Sequence, residues 1–576
     1  MVQFDEDKQK RQLKELLSEE EEQSAQILSQ KYGVKYIDLS GIPISSDALR
    51  IIPEVDARER EMAAFKLVGK KLFVAVRSPN KDSVIEMLDK LKEKDYTIEL
   101  YMVARQSLEK AWERYKDLSF AMETKAGTLD ISNSEIEEFL KKLNSLADIE
   151  ALLNEKVETN KVYRVSKILA IIIAGGISTG ASDIHIEPEE KIVRLRYRLD
   201  GALVELLQFD KETYQLLLSR IKLLSGLKLN IKENSQDGRF SVKIYNDSIE
   251  IRSSTLPGAF GESIVLRILN PKSIQFPLSD LGIPPRLLDI FVREISKPNG
   301  MILTTGPTGS GKTTTLYAFL RRVHTPEIKI VTIEDPVEYH LEGIVQTQVE
   351  VEKGYTFAAG LRSTLRQDPD VIMVGEIRDN ETAEIAVQSA LTGHLVFSTL
   401  HTNNAAGAFP RLIDLGVNPK ILVSAINVAI AQRLLRRLCT KCRKQSPIPD
   451  NKRAALEIIW QKIEKKGGKI SQKDFIYEAV GCPECNKTGY KGRVGIYEAI
   501  LIDRAVEEVI QNNPSEREIV EAAEPQNILS LAQDGLLKVA DATTSLDELE
   551  KVVDLSFELP ENFDYSPPLA GGGDIG

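Results

Sequence analysis

The run GPTGSGKT, Gly306 to Thr313, brings three glycines, a lysine and a threonine together at the spacing a nucleoside triphosphate requires. Gly306, Gly309 and Gly311 let backbone N–H groups wrap phosphate oxygens. Lys312 is placed to reach the β/γ-phosphates, and the Thr313 hydroxyl suits Mg²⁺. Pro307, Thr308, Ser310 and Thr314 complete the stretch expected to line ATP. Phosphoryl transfer also needs a metal near the β/γ oxygens, a group that orients water, and positive charge for the transition state. Two acidic clusters can serve: Glu334, Asp335 and Glu338 in TIEDPVE, and Glu376 in DVIMVGE. Thr313 and Glu376 are the Mg²⁺-side candidates, Glu376 through water. Glu338 is the first choice for orienting the attacking water and Glu334 the second; spacing does not separate them. His394 and His401 stand seven residues apart in LTGHLVFSTLHT. Each reads either as structural or as coupled to the site, sensing phosphate or holding the carboxylates.

All four cysteines fall in two pairs, Cys439 and Cys442 (CTKC) and Cys482 and Cys485 (CPEC), separated by 39 residues. Each pair can present two thiolates to one tetrahedral Zn²⁺. No histidine or carboxylate motif accompanies them to suggest an open catalytic position, so the metal is expected to be structural. The same usage favours metal ligation in a reducing compartment over a disulfide framework.

These residues need elements to hold them. Met301–Thr305 reads as a short buried strand, and Leu316, Phe319, Leu320 and Val323 follow at helical spacing, so the glycine run lies between strand and helix. Strands at Lys329–Ile333 and Val371–Val374 continue a β-α-β succession, whose mostly parallel sheet places ligands at strand C-terminal ends. The segment carrying His394 and His401 also reads as strand. Upstream, an apolar helix over Val165–Ile177 leads into ASDIHIE, the alternating strand Val193–Leu199, a helix at Tyr214–Leu224, and strands near Phe240–Ile244 and Ile249–Ser253. Arg194, Arg196, Arg198, Arg239, Arg252 and Arg267 recur there, as surface charge or as phosphate ligands. Ile27–Tyr115 mixes strands such as Lys71–Val76 with helices such as Asp82–Leu91, a small α/β domain. Between the two lies a polar stretch with one helical pattern from Ile136 to Leu153, read as a linker that permits domain movement.

A chain of 576 residues holds about three or four domains. Net charge of −11 and 6% aromatic residues argue against a protein built on nucleic-acid phosphates. Apolar runs such as Ile168–Ile173 are too short to span a membrane, and the charged start, with Leu13, Leu16 and Leu17 on a solvated helix to about Glu22, is unlike a signal peptide. A cytosolic protein is expected. The end, 556–576, is rich in proline and glycine and reads as a disordered tail.

GPTGSGKT, TIEDPVEY, LRSTLRQDPDVIMVGEIRD and LTGHLVFSTLHTN together resemble the Walker A, Asp box, Walker B and His box of the secretion ATPase superfamily. SDIHIEP, RYRLDG, the tetracysteine segment and the N-terminal text narrow this to a resemblance to the type II secretion and type IV pilus assembly ATPases, over roughly Ile27 to Ile510. The resemblance implies an α/β multidomain chain. An N-terminal partner-docking domain would cover 1–118, a linker with a helix 119–160, and an arginine-bearing, PAS-like second domain 161–275. A RecA-like P-loop domain over 276–555 would carry a zinc insertion at 436–492. It also implies a homo-hexameric ring with ATP between the second and third domains, driving a pilin-like fibre through an inner-membrane platform protein and a cytoplasmic docking component. The motor would sit at the inner face of the membrane, with no nucleic-acid partner.

Residue by residue, the resemblance implies Lys312 and Thr313 on phosphate and Mg²⁺, Glu338 as the Asp-box catalytic glutamate, Glu376 in Walker B, and His394 and His401 in the His box. Arg198 and Arg252, ahead of Arg196 and Arg267, would reach the phosphates. Walker B ends in Gly375-Glu376 instead of the common aspartate, a variation this superfamily shares. The tetracysteine element belongs to assembly motors and is absent from retraction motors, which implies fibre extension. Some relatives bind cyclic di-GMP through paired RLG-type motifs; Met1–Leu118 has no such pair, so that control is not expected. Two other functions compete: another hexameric P-loop motor such as a DNA translocase, and a nucleotide-binding scaffold that hydrolyses little.

Overall fold

The computed structural model describes residues 21–39, 42, 44–49, 51–93, 96–126, 133–143, 145–157, 161–244, 247–271, 276–560, 563 and 565. The expected N-terminal helix lies outside these residues up to residue 20, as does the tail beyond 565; the start of the expected disordered tail is instead ordered, since Leu555–Glu558 form a 3-10 turn and Leu559 is buried against the core. The chain forms two compact units, residues 1–132 with 218–230, and residues 133–217 with 231–576.

The first unit holds a four-stranded sheet, β1 (Lys35–Tyr36), β2 (Met62–Val68), β3 (Lys71–Val76) and β4 (Thr97–Met102), in the order β1-β4-β3-β2. Helix α1 (Asp82–Glu93) buries Val84, Met87 and Leu91, one apolar stripe at spacings of three and four. Helix α2 (Arg105–Ala126) contributes Trp112, whose Nε1 donates to Met62 O at 3.1 Å. Strand β3 and helix α1 occupy the segments the sequence pattern predicts.

The second unit begins with α3 (Asn133–Lys142), α4 (Leu146–Val157) and α5 (Lys161–Ser178). The pattern over Ile136–Leu153 is thus two helices rather than one. Ser145 starts the second: its N–H donates to Asp148 Oδ2 at 2.9 Å, and the Asp148 N–H returns a bond to Ser145 Oγ at 3.2 Å. Nor is this segment a loose tether, because Ile136, Leu143, Ile149 and Leu153 are buried and both helices pack on α5. At Gly175 and Gly176 α5 presses close. A Cβ there would lie 2.8 Å from Ile149 Cδ1 and 2.9 Å from Ile268 Cδ1 respectively.

Helix α5 covers an antiparallel sheet of β5 (Asp183–Pro188), β6 (Val193–Leu199), β7 (Ala202–Phe209), β8 (Gln236–Ile244), β9 (Asp247–Gly258) and β10 (Gly261–Leu269), ordered β7-β6-β5-β10-β9-β8. Along β6, Val193, Leu195, Tyr197 and Leu199 are buried while Arg194, Arg196 and Arg198 alternate with them on the opposite face. Register extends that polar face across the sheet. Arg198 pairs with Asp183, Asp183 with Arg267, Arg267 with Arg252, and Arg252 with Arg239. Directly opposed residues share a face, so four arginines and one aspartate form a single row across five strands.

The last sheet has seven strands: β11 (Gly300–Thr305), β12 (Ile330–Glu334), β13 (Val345–Gln348), β14 (Val371–Val374), β15 (Leu395–Leu400), β16 (Ile426–Leu438) and β19 (Tyr490–Leu501). Their order is β13-β12-β14-β15-β11-β16-β19, all parallel except β19, which runs antiparallel to β16. Strands β11, β12, β14 and β15 are buried along their whole length, as sheets covered on both faces require. Helix α6 (Lys312–Val323) turns Leu316, Phe319 and Leu320 inward, and Phe319 meets Phe291 edge-on at 5.7 Å. Between β16 and β19 the chain makes an excursion through β17 (Lys444–Pro447), α7 (Asp450–Lys465) and β18 (Phe475–Glu478). Helix α7 buries Leu456, Ile459, Trp460 and Ile463 in the same core as Ile496 and Leu536.

Candidate functional site

The glycine run forms the loop between β11 and α6. Gly306, Gly309 and Gly311 have φ of 148°, 80° and 90°, conformations an L side chain adopts only under strain. Space closes two of these positions as well: a Cβ at Gly306 would lie 2.6 Å from Gln432 O, and one at Gly311 2.7 Å from Gln432 Nε2. Gln432, on β16, also accepts from Thr315 Oγ1 at 2.8 Å, so one buried amide fixes the first turn of α6. Pro307, Thr308, Gly309 and Thr313 are exposed, and Lys312 and Thr314 are half-buried. Lys312 Nζ donates to Gly306 O at 2.7 Å and Pro307 O at 3.1 Å. Burial pushes its pKa below the ordinary lysine value, against the attraction of Glu376. Ser310 Oγ is buried without a partner, and such an orphan hydroxyl facing an anion-binding loop fits a phosphate oxygen.

The carboxylates gather at the same edge of the sheet. Glu334 ends β12, and Glu376 lies two residues beyond β14. Glu376 bonds His401 Nε2 at 3.2 Å and pairs with Arg378. His401 follows β15, whose last residues lie level with the end of β11. The Thr402 N–H donates to Thr305 Oγ1 at 2.8 Å and fastens the histidine loop to the P-loop strand. Thr313 offers a hydroxyl and Glu376 a carboxylate, oxygen donors of the kind a hard cation such as Mg²⁺ takes. His394 does not join them. It precedes β15, its carbonyl accepts from Gly300 N at the start of β11, and its Nδ1 faces Ser389 O at 3.1 Å. The seven-residue spacing of the two histidines spans one whole strand, so they stand about 20 Å apart at opposite ends of it.

The two glutamates of TIEDPVE have unlike surroundings. Glu334 is buried and takes bonds from Thr332 Oγ1 at 2.5 Å, Gln346 Nε2 at 3.1 Å and the Tyr317 hydroxyl. Burial pushes its carboxyl above the ordinary glutamate range, opposed by those three donors. Glu338 is 31% exposed, and its Oε2 lies 3.2 Å from Arg252 Nη1. Arg252 Nη2 also donates to Val337 O at 2.5 Å. Arg267 and Arg198 turn to Asp183, at 2.9 Å and 3.4 Å, and Arg196 pairs with Glu187. Of the arginine row, Arg252 is the member bonded to the loop that bears Glu338. Tyr317, Gln346, Arg378 and Gln432 have no motif of their own, although Arg378 lies two residues past Glu376 in VGEIRD and Tyr317 four past Thr313.

The cysteines meet where the excursion leaves β16 and rejoins β19, and the Cys439 N–H bonds Gly489 O at 2.9 Å. Sulfur separations are 3.8 Å for Cys439–Cys482, 3.8 Å for Cys442–Cys485 and 3.7 Å for Cys482–Cys485. A tetrahedron with Zn–S bonds of 2.3 Å has edges of about 3.8 Å, so these thiols fit zinc. The N–H groups of Cys482 and Gly489 both point at the Cys485 sulfur at 3.2 Å, contacts that favour the thiolate a metal needs.

The family model for type II/IV secretion system proteins matches residues 158–551, and that for the MshEN domain matches residues 32–121. The type II secretion system protein E of Aeromonas hydrophila is 42% identical over 426 residues, 73% of this chain and 83% of the relative. The type IV pilus assembly ATPase PilB of Myxococcus xanthus (strain DK1622) is 36% identical over 536 residues, 92% of this chain and 91% of the relative. Among the described residues no helix is long and apolar enough to cross a membrane.

Proposed function

The chain belongs to the type II/IV secretion system protein family, and from that premise we propose that it is a hexameric, Mg²⁺-dependent ATPase that drives assembly of a type IV pilus or a type II secretion pseudopilus. ATP hydrolysis is the activity expected of the family. The observation that carries the reading is the meeting of the P-loop, the Glu376–His401 pair and the Arg252–Glu338 pair within one unit. The tetracysteine knuckle supports extension over retraction. Work at the inner face of the membrane, through a platform protein and its docking component, follows from the same reading.

In this proposal the backbone of Gly306–Gly311 and Lys312 bind the phosphates, and Thr313 and Glu376 would hold Mg²⁺, which when bound neutralises charge on the β- and γ-oxygens. Glu338 orients the attacking water and accepts its proton. Glu334, with both oxygens already engaged, supports the loop instead. Arg252 supplies positive charge beside the reacting phosphate, and His401 holds the Glu376 carboxylate. The arginine-bearing sheet then turns hydrolysis into movement, because its contact with the catalytic loop changes as phosphate leaves. The test replaces Glu338 by Gln and follows turnover and fibre assembly or secretion together. Both should fail while nucleotide still binds; assembly that persists without hydrolysis overturns the motor reading.

A further inference from the structure

Glu338 stands in a loop of ten residues, 335–344, that joins the parallel neighbours β12 and β13 without a helix. A water-orienting carboxylate needs a fixed position, since a misplacement of about 1 Å can cost on the order of 100-fold in rate. The loop is fastened on both sides of Glu338. On one side Arg252 Nη2 donates to Val337 O at 2.5 Å. On the other, Gln346 Nε2 donates to Tyr339 O at 2.9 Å, and Gln346 Oε1 accepts from the Leu341 N–H at 2.7 Å.

Gln346 lies opposite Thr332 in the parallel register, and its Nε2 also reaches Glu334 Oε1 at 3.1 Å. This set of partners fixes the amide orientation. Reversed, its oxygen would face the Tyr339 carbonyl and the Glu334 carboxylate, and its NH₂ would face the Leu341 N–H. The Glu334 carboxylate is in turn anchored to α6 through the Tyr317 hydroxyl. A chain of bonds therefore runs from the P-loop helix through Tyr317, Glu334 and Gln346 to the carbonyl of Tyr339, the residue after Glu338.

We propose that Gln346 is a positioning residue for hydrolysis, clamping the loop between β12 and β13 so that Glu338 is held in register with the P-loop. Its side chain bonds Tyr339, Leu341, Glu334 and Tyr317, so it acts through Glu338. This rests on Glu338 as the water-orienting carboxylate. Gln346→Met keeps the bulk and removes the bonds, and Gln346→Ala serves as a second variant; both are made in the full chain. Each should lower kcat by roughly 10- to 100-fold, change nucleotide affinity less than about threefold, and speed exchange of the Leu341 amide. In a Glu338→Gln background the further loss from Gln346→Met should be less than about twofold. Equal losses in both backgrounds, or affinity falling in step with turnover, would overturn the proposal and leave Gln346 a general support. Wild-type turnover in Glu338→Gln alone would instead remove the premise, a separate and recognisable failure.

Discussion

Glu334 and Glu338 offer the sharpest test, because one motif carries both and their surroundings assign them different work. In Glu334→Gln a single acceptor oxygen replaces two, while three donors converge from Thr332, Gln346 and Tyr317. With the amide oxygen toward Thr332 and Gln346, the Tyr317 hydroxyl faces the NH₂ group; it can accept from that group, but its own proton loses its acceptor. An orphaned buried group costs about 1–3 kcal/mol, which raises local opening roughly 5- to 150-fold. Part of that cost is offset, because the variant no longer buries a charge. The pH dependence isolates this term. The folded carboxyl titrates above its unfolded value, so the native state binds the proton more tightly. Stability is therefore greatest below the ordinary glutamate range and falls as pH rises through the folded value, and Glu334→Gln should flatten that fall. Glu338→Gln exchanges a part-exposed ion pair for a neutral bond, a change of about 0–1 kcal/mol, but should cost turnover about 10²- to 10⁴-fold. Amide exchange across β12, β13 and α6, measured beside ATP turnover, separates the two. The reasoning is refuted if Glu334→Gln exchanges like wild type yet loses as much turnover as Glu338→Gln.

Other outcomes follow from the same geometry. The purified chain should carry one zinc per polypeptide by elemental analysis, and Cys482→Ser should lose it. Because α7 is buried in the main core, circular dichroism of that variant should change little while proteolysis near Cys439 and Cys485 quickens. Arg252→Ala should reduce turnover roughly 10-fold or more, and Arg252→Lys should not restore it, since a point-like ammonium lacks the planar fork by which Nη1 and Nη2 reach Glu338 and Val337 O from fixed directions. His401→Ala should impair hydrolysis, whereas His394→Ala should alter kcat less than about threefold, as expected of a side chain at the far end of the strand; steady-state assays of both variants decide this.

How much was legible depended on whether chemistry or register carried the information. The P-loop could be read because its glycines answer local demands: Gly306 and Gly311 adopt positive φ where a Cβ would strike Gln432. The zinc knuckle could be read because CxxC spacing is itself a geometry. Strands β11, β12 and β14 announced themselves as apolar runs ending in glycine or acid. His394 misled because spacing counts residues and not direction; only the parallel register of β15 with β11 shows that the two histidines face opposite edges. The arginines were hard to sort for a related reason. Of the six, Arg194, Arg196 and Arg198 alternate along one predicted strand, but strand order, with β10 inserted between β5 and β9, decides which of the others share a row with Arg198. Even within that row, Asp183 engages Arg198 and Arg267, which leaves Arg252 to reach the loop. The same limit hid Gln346, whose neutral side chain in VQTQ matters because a parallel pairing with Thr332 sets it beside Glu334. Motifs thus name the groups that touch phosphate, while the groups that aim them become visible only when non-adjacent strands are laid side by side.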